Sequence, residues 1–395
     1  MTIRLKAGVT LAVVALCAGN AWADDDDLRN EFNPISTGVA MLGITPDARG
    51  AGMGDLGAAT DPDVNSQFWN PSKYAFAYSS AGVALSYTPW LRKIVNDIYL
   101  ANLTGYFKIG SGDNQAVSAS LRYFSYGEIN ESAGGQTIAS IHPFELAFDA
   151  GYSRKLSEKF SMGVALRYVY SDMGYNSYDQ NGKTSASAFA ADISGYYTTY
   201  PVIGRNECQW SLGFNISNIG SKIAYDGGNR PAFLPANLKI GTTFTFPLAD
   251  YHNLSIGLDA NKLLVPAIPR QQDYTTDGVV DQQAYDDAYE EWKNKSSISG
   301  IFSSFGSDFA KRINLSVGAE YAYNQQFFLR GGYYYESAYN GNRQYFGVGA
   351  GFSLNVVRLD AGYMVATKQN SPLDQTLRFT LSFDMDGIKN LFGRN

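Results

Sequence analysis

The chain has 395 residues, a net charge of −6, and 17% charged residues beside 14% aromatic ones, with 28 Tyr, 23 Phe and 40 Gly. An acidic balance excludes general nucleic-acid binding, which needs basic surface to neutralise phosphates. Two histidines and two cysteines are too few for the usual His/Cys metal sites, so neither a metal nor another cofactor is expected.

Residues 1–23 read as a signal peptide. Arg4 and Lys6 precede the apolar run 7–18, and Ala21-Trp22-Ala23 places small residues before the cut. The mature chain is then expected to start at Asp24. The run is short for a spanning helix of roughly 20 residues. Leu16 before Cys17 is too bulky for a lipoprotein signal. Loss of Cys17 leaves Cys208 alone, so no intramolecular disulfide is expected.

Asp24 to Asp27 and Glu31 make an acidic start, and 33–44 is a mildly apolar connector. The stretch 45–73 suits neither helix nor strand. Gly50, Gly52, Gly54 and Gly57 loosen it, Pro62 and Pro71 punctuate it, and Asp61, Asp63, Asn65 and Asn70 form turns. We expect 24–79 to be an N-terminal periplasmic segment that packs as a compact lumen plug. Its glycines allow close approach to surrounding strands, and Arg49, Asp61 and Asp63 are expected to pair with wall charges.

From Ser80 onward a period-2 pattern takes over. Fourteen runs follow, at 80–88, 97–108, 115–126, 143–154, 160–171, 186–198, 208–218, 237–246, 253–263, 312–323, 326–336, 344–354, 356–366 and 374–384. All reach the ~9–11 residues that a tilted strand needs to cross a membrane. Within the fifth run, Met162, Val164, Leu166, Tyr168 and Tyr170 oppose Arg167. Elsewhere Arg122, Glu145, Asp149, Asp192, Asp259, Glu320, Arg330, Arg358, Asp360 and Arg378 also fall on the small, polar face. A charge at mid-bilayer on the lipid face would cost roughly 2–4 kcal/mol for Arg or Lys, which explains the one-sidedness.

Connection lengths alternate. Those at 89–96, 127–142, 172–185, 219–236, 264–311, 337–343 and 367–373 are mostly longer than those at 109–114, 155–159, 199–207, 247–252 and 324–325. Short periplasmic turns and long outer loops are the outer-membrane pattern. The expected fold is all-β: a 14-stranded antiparallel transmembrane β-barrel over 80–386 with an N-terminal plug. Both termini are expected to be periplasmic, the long loops extracellular, and 387–395 a periplasmic tail.

The outer loop 264–311 is too long for a mere connection. Residues 281–295 predict an acidic helix with Tyr285, Ala288, Tyr289 and Trp292 on one face. Ile298, Ile301, Phe302 and Phe305 follow. Such a patch either caps the barrel mouth or docks another protein. The candidate partner contacts are Tyr285, Tyr289, Trp292, Ile301, Phe302 and Phe305, with Phe233 from loop 219–236.

Three motifs point to chemistry and are set aside. The string 52–57 matches G-x-G-x-x-G, but no strand–helix unit surrounds it. Asp273, Asp277, Gly278 and Asp281 partly match a calcium loop, but Thr275 and Ala284 occupy ligand positions. His142 and His252 lack the Ser partner of a barrel hydrolase. The protein is expected not to be an enzyme.

The residues Ala48-Arg49-Gly50-Ala51-Gly52-Met53-Gly54, then Asp61 to Asn65, then Trp69-Asn70-Pro71-Ser72, carry a resemblance. They resemble the A-R-x-x-G-M-G … D-D … W-N-P-A segment of FadL-like outer-membrane proteins. Within these, the chain resembles the PorV (also called LptO) family of the type IX secretion system in its signal, plug, strand number and long outer loops. Pro62 and Ser72 depart from the usual pattern without breaking its turn chemistry. The resemblance implies a non-enzymatic role. Such proteins bind the C-terminal signal domain of secreted cargo, taking it from a translocon barrel to a sortase-like subunit of a cell-surface attachment complex, amid outer-membrane lipids. Two competing functions remain at this stage: FadL-like uptake of hydrophobic small molecules, and an outer-membrane deacylase.

Overall fold

The computed structural model describes residues 32–92, 95–110, 112–133, 136–174, 185–225, 231–306, 309–367 and 374–386. The expected signal peptide, 1–23, and tail, 387–395, lie outside the described residues.

Fourteen strands close into one antiparallel barrel. They are β1 (Ala81–Pro89), β2 (Tyr99–Ile109), β3 (Gln115–Ser125), β4 (Phe144–Lys155), β5 (Phe160–Asp172), β6 (Ser185–Thr199) and β7 (Gln209–Gly220), then β8 (Asn237–Ala249), β9 (His252–Leu263), β10 (Ile313–Tyr323), β11 (Phe327–Tyr335), β12 (Gln344–Leu354), β13 (Val357–Ala366) and β14 (Leu377–Asp384). Each pairs with its chain neighbours. The sheet closes where β1 meets β14, from Gly82↔Asp384 to Tyr87↔Phe379. Closure removes the edges that a spanning sheet cannot leave unpaired. The predicted runs match these strands to within three residues at either end. Small hairpins at Ile129–Ala133 with Gln136–Ile141, and at Thr275–Thr276 with Val279–Val280, were not anticipated, because neither stretch carries sustained alternation.

The alternation has the expected sense. On β5, Leu166 is 68% exposed while the adjacent Arg167 is 4% exposed. Every charge placed on the inner face in the sequence is turned away from the outer surface, with Arg358 the least buried. An aromatic band marks the long-loop end. Tyr87, Tyr99, Tyr123, Phe144 and Tyr170 follow one another across β1 to β5, with ring centroids 5.6–6.0 Å apart. At the other end His252 lies against Tyr323, and Phe327 against Phe352. Two such girdles bracket the apolar band of an outer-membrane barrel. No described helix is long and apolar enough to cross a membrane.

The N-terminal segment lies inside the barrel. Its short pieces are a 3-10 turn at Ala40–Gly43, α1 (Ala48–Gly52), α2 (Ser66–Trp69) and a second 3-10 turn at Pro71–Phe76. The direction of travel corrects one expectation. Residues 32–44 do not begin on the short-turn side. Asn33 N–H donates to Tyr339 O at 2.9 Å, and Gly38 N–H to Phe233 O at 2.9 Å. Arg312 Nη1 donates to Asn33 O at 3.0 Å. All three partners belong to long loops or their strand junctions. The chain then descends through the lumen, and Ser79 Oγ donates to Asp384 Oδ2 at 2.6 Å beside the opposite rim. Turn-forming composition identifies a segment that fills a lumen, but it does not carry the direction in which the chain runs.

Two outcomes follow. Leu166→Arg, at the middle of β5, should cost roughly 2–4 kcal/mol in urea unfolding from lipid, whereas Ala165→Ser on the inner face should cost far less. A cysteine replacing exposed Phe32 should react with an impermeant maleimide from the same side as one replacing Asp277. It should stay silent under conditions that label one replacing Glu158.

Candidate functional site

The inner segment is organised on Trp69. Asp47 caps α1 by accepting Gly50 N–H at 2.8 Å, and its other oxygen accepts Trp69 Nε1–H at 2.6 Å. The indole then lies between Gly50 and Gly57. A Cβ on either glycine would fall 2.2 Å from the ring, so both positions require glycine. Asn70 donates to Ala58 O at 2.9 Å and to Gly195 O on β6 at 3.0 Å, while its side-chain oxygen accepts from Ser72 N–H at 3.2 Å. Pro71 opens the last 3-10 turn, where its missing N–H is no loss. Asn65 is buried, and its N–H donates to Asp63 Oδ1 at 3.0 Å.

The segment is bonded to the wall on several sides. Arg49 forms a two-pronged pair with Glu320 on β10, Nη2–Oε1 at 2.8 Å and Nε–Oε2 at 3.1 Å. Glu320 also meets Arg330 at 2.6 Å, and Arg330 meets Asp360 at 2.8 Å. On the neighbouring strand β9, Asp259 accepts the N–H groups of Gly57 and Ala58 at 2.8 and 2.9 Å. Asn215 on β7 donates to Trp69 O at 3.1 Å. Met53 is buried against β11, where a Cβ on Gly332 would meet the Met53 carbonyl carbon at 2.1 Å. Gly54 has φ +70°, and a Cβ there would fall 2.6 Å from Tyr333 N. Gly52 faces Gly349 on β12 at a similar closeness.

The expected pairing of three charges with the wall holds for Arg49 alone. Asp63 turns back to Arg49, at 2.8 Å, and Asp61 accepts from the neutral Gln209 at 2.7 Å. Turn formation brings Asp63 beside Arg49, so the carboxylate is satisfied within the segment. Sequence reading missed Asp47 and Lys73. Asp47 stands three residues ahead of Gly50, the spacing of a side-chain cap. Lys73 is fully buried and donates to Gly57 O and Thr60 Oγ1, both at 3.0 Å. Neither lies on a spanning strand. Burial pushes the Asp47 carboxyl up to about 6 and draws the Lys73 ammonium down to about 8.

The long loops form a second structured region. The predicted helix is α3 (Gln282–Asn294), capped by Asp281 accepting Ala284 N–H at 3.1 Å, and α4 (Ser297–Ser303) follows. Tyr285, Tyr289 and Trp292 line one face of α3, with ring centroids 6.3 and 5.9 Å apart. Trp292 packs edge-on to Phe233 at 5.7 Å, and its Nε1–H donates to Pro266 O at 3.1 Å. Ile301 packs half-buried on the same base of Phe233, Ala236, Leu264 and Val265. Phe233 is 3% exposed and therefore supports the platform without being a contact on it. Phe302 and Phe305, at 75% and 47%, are open to the surroundings. Lys222 lies 4.0 Å from the Phe233 ring centre and donates to Lys293 O at 2.8 Å, joining loop 219–236 to loop 264–311.

Between this platform and the inner segment lies a vestibule of about 550 Å³. Trp90, Lys239, Asn215, Asn340, Tyr345 and Arg378 are among its lining residues. The other motifs do not converge. Asp273 pairs with Arg270 at 2.7 Å, and Asp281 is spent on its cap. Among the described residues no group of three or more His, Cys, Asp or Glu is placed to hold a metal. His252 meets the Tyr321 hydroxyl at the short-turn end, whereas His142 is the last residue of the long connection 127–142.

A family model described as "Type IX secretion system protein PorV" matches residues 27–270. None of the curated proteins compared with the chain matches it. Among solved structures, the TodX deltaS2S3 mutant, a monoaromatic hydrocarbon channel, is similar at 12% identity, TM-score 0.51, over 85% of this chain and 98% of that chain. The toluene transporter TodX of Pseudomonas putida is similar at 13% identity, TM-score 0.47, over 85% and 96%. A FadL homologue of Pseudomonas aeruginosa is similar at 12%, TM-score 0.43, over 86% and 98%. At TM-score 0.51 and 12% identity, the likeness to the TodX mutant is one of fold.

Replacing Arg49 tests the inner assembly. Arg49→Met leaves Asp63 and one side of Glu320 unpaired, and should lower barrel stability by roughly 3 kcal/mol, near the bottom of the range for a broken buried pair because Arg330 stays on Glu320. Arg49→Lys should recover only part, because a point charge cannot reproduce the two-pronged contact. Denaturant midpoints in one lipid or detergent system measure both.

Proposed function

The chain belongs to the PorV family of type IX secretion system proteins, and on that premise we propose that it captures the C-terminal signal domain of secreted cargo and shuttles it from a translocon barrel to a sortase-like attachment subunit. It is an outer-membrane β-barrel of a family of secretion components. The reading adds a direction: the long-loop face is extracellular and is where cargo binds.

One observation carries this proposal. The inner segment is bonded to the barrel wall at mid-height, while the long loops are organised into a platform bearing exposed aromatic side chains. The contacts of Arg49 with Glu320, of Gly57 with Asp259 and of Asn70 with Gly195 hold the inner segment to β10, β9 and β6. A barrel that conducts its substrate would have to break these bonds. A barrel that recognises a partner needs only the surface above them. Phe302 and Phe305 are suited to anchor a partner, since exposed aromatic groups on a rigid base make effective hot spots. No catalytic step is part of the proposal. Uptake of hydrophobic small molecules is the competing reading, and the vestibule is the feature that would serve it.

The test is retention of a cargo signal domain by the detergent-solubilised protein. Phe302→Ser with Phe305→Ser should weaken retention by about 30-fold, the effect of losing hot spots worth ~2 kcal/mol. Both side chains are exposed, so folding should be preserved. Unchanged retention would remove the platform from the account. Absence of any retention, with saturable binding of a labelled hydrocarbon, would favour uptake.

A further inference from the structure

We propose that the vestibule is a carboxylate pocket in which Arg378 receives the terminal carboxylate of a cargo polypeptide. This rests on the reading that the long-loop face captures cargo, and it specifies where the chain end goes.

Arg378 is the unusual member of the wall. It lies on β14, is 2% exposed and lines the vestibule. Its Nε is buried without a hydrogen-bond partner, and no described carboxylate lies within ion-pair reach. Two other inward arginines are neutralised by carboxylates. Arg167 is held by Asp149 at 2.6 Å and Asp192 at 3.0 Å, and Arg330 by Glu320 and Asp360. Arg122 also lacks a carboxylate partner, but it packs on Phe68 at 4.9 Å and does not line the cavity. Arg378 has the Trp90 ring, whose centroid lies 5.9 Å from the guanidinium. Burying a guanidinium without a counter-charge is costly. Its planar fork matches a carboxylate in two parallel hydrogen bonds.

The remaining charges in the cavity leave that role open. Glu336 is taken by Arg343 at 2.6 Å, and Asp55 accepts from the Tyr345 hydroxyl. Lys239, on the facing wall at β8, is stacked 3.9 Å from the Trp69 ring centre and has no carboxylate within ion-pair reach among the described residues. An incoming anion therefore meets two basic side chains that no described carboxylate contacts.

The buried acceptors point to a peptide. Asn215 and Asn340 line the same cavity, and the side-chain oxygen of each is buried without a donor. Their orientations are set, because Asn215 Nδ2 donates to Trp69 O and Asn340 Nδ2 to Glu336 Oε1 at 3.3 Å. A polypeptide end brings a carboxylate together with backbone N–H groups for such oxygens. A fatty acid brings the carboxylate alone. A volume of about 550 Å³ falls within the range of ligand pockets and suits a short chain end, whereas a folded domain must stay on the loops above.

The experiment uses the full protein in detergent and three probes: a synthetic peptide copying the end of a cargo signal domain as the free acid, the same peptide as the C-terminal amide, and laurate. On the native protein the acid should bind at least ~10-fold more tightly than the amide, the effect of losing one charge-assisted contact. Arg378→Gln should abolish that difference, and Arg378→Lys should restore part of it. Equal binding of acid and amide to the native protein overturns the pocket, and retention of the intact signal domain in the same preparation would leave the capture reading standing. Laurate binding that depends on Arg378, without acid-peptide binding, overturns the polypeptide as the source of the carboxylate. Failure to retain both peptide and domain overturns both readings.

Discussion

The two-pronged contact between Arg49 and Glu320 is the constraint around which the interior is arranged. A barrel of fourteen strands encloses more space than its own inward side chains fill. Here that space receives a folded segment with its own buried charges, and each must find a partner away from bulk water. Arg49 sits between Glu320 on the wall and Asp63 in its own segment. Glu320 passes the interaction to Arg330, and Arg330 to Asp360. One guanidinium thus fixes the rotation and height of the inner segment against three strands. Wall glycines such as Gly332 make the approach possible by leaving room for backbone against backbone.

The same contact network determines where function can reside. An inner segment tied to opposite walls is a poor moving gate and a good foundation. Above it, residues 33–38 cross the mouth and bond to both Tyr339 and Phe233 before descending to Arg49. The loops that carry the exposed aromatic groups are therefore joined by one continuous chain to the fixed interior. Loop 264–311 gains order in the same way, through Trp292 and Ile301 packed over Phe233. Rigid support beneath exposed aromatic groups lowers the ordering cost of binding a partner.

Much of this architecture was legible in the sequence, for definite reasons. Strand phase was clear because a charge cannot face lipid, so Arg167 and Leu166 had to point oppositely. The helix at Gln282–Asn294 was legible from Tyr285, Tyr289 and Trp292 at one-face spacing. The presence of a folded inner segment followed from its glycines and turn formers. Its direction did not, because composition is the same read from either rim. Nor did the pairing of Asp63 with Arg49, which depends on the turn at Pro62 bringing residues 14 apart together. Phe233 looked like a contact because it is aromatic and in a long loop; only the fold places Trp292 over it. Arg378 could be assigned to the inner face, but its isolation from every described carboxylate is a property of its neighbours in space.

The central claim is that this barrel works by recognition on its long-loop face while its lumen stays shut. Ion conductance across a planar bilayer containing the purified protein, recorded before and after adding a cargo signal domain that binds it, tests that claim directly. The account predicts no steady conductance in either condition. A stable conductance, present from the start or opened by the bound domain, would contradict it.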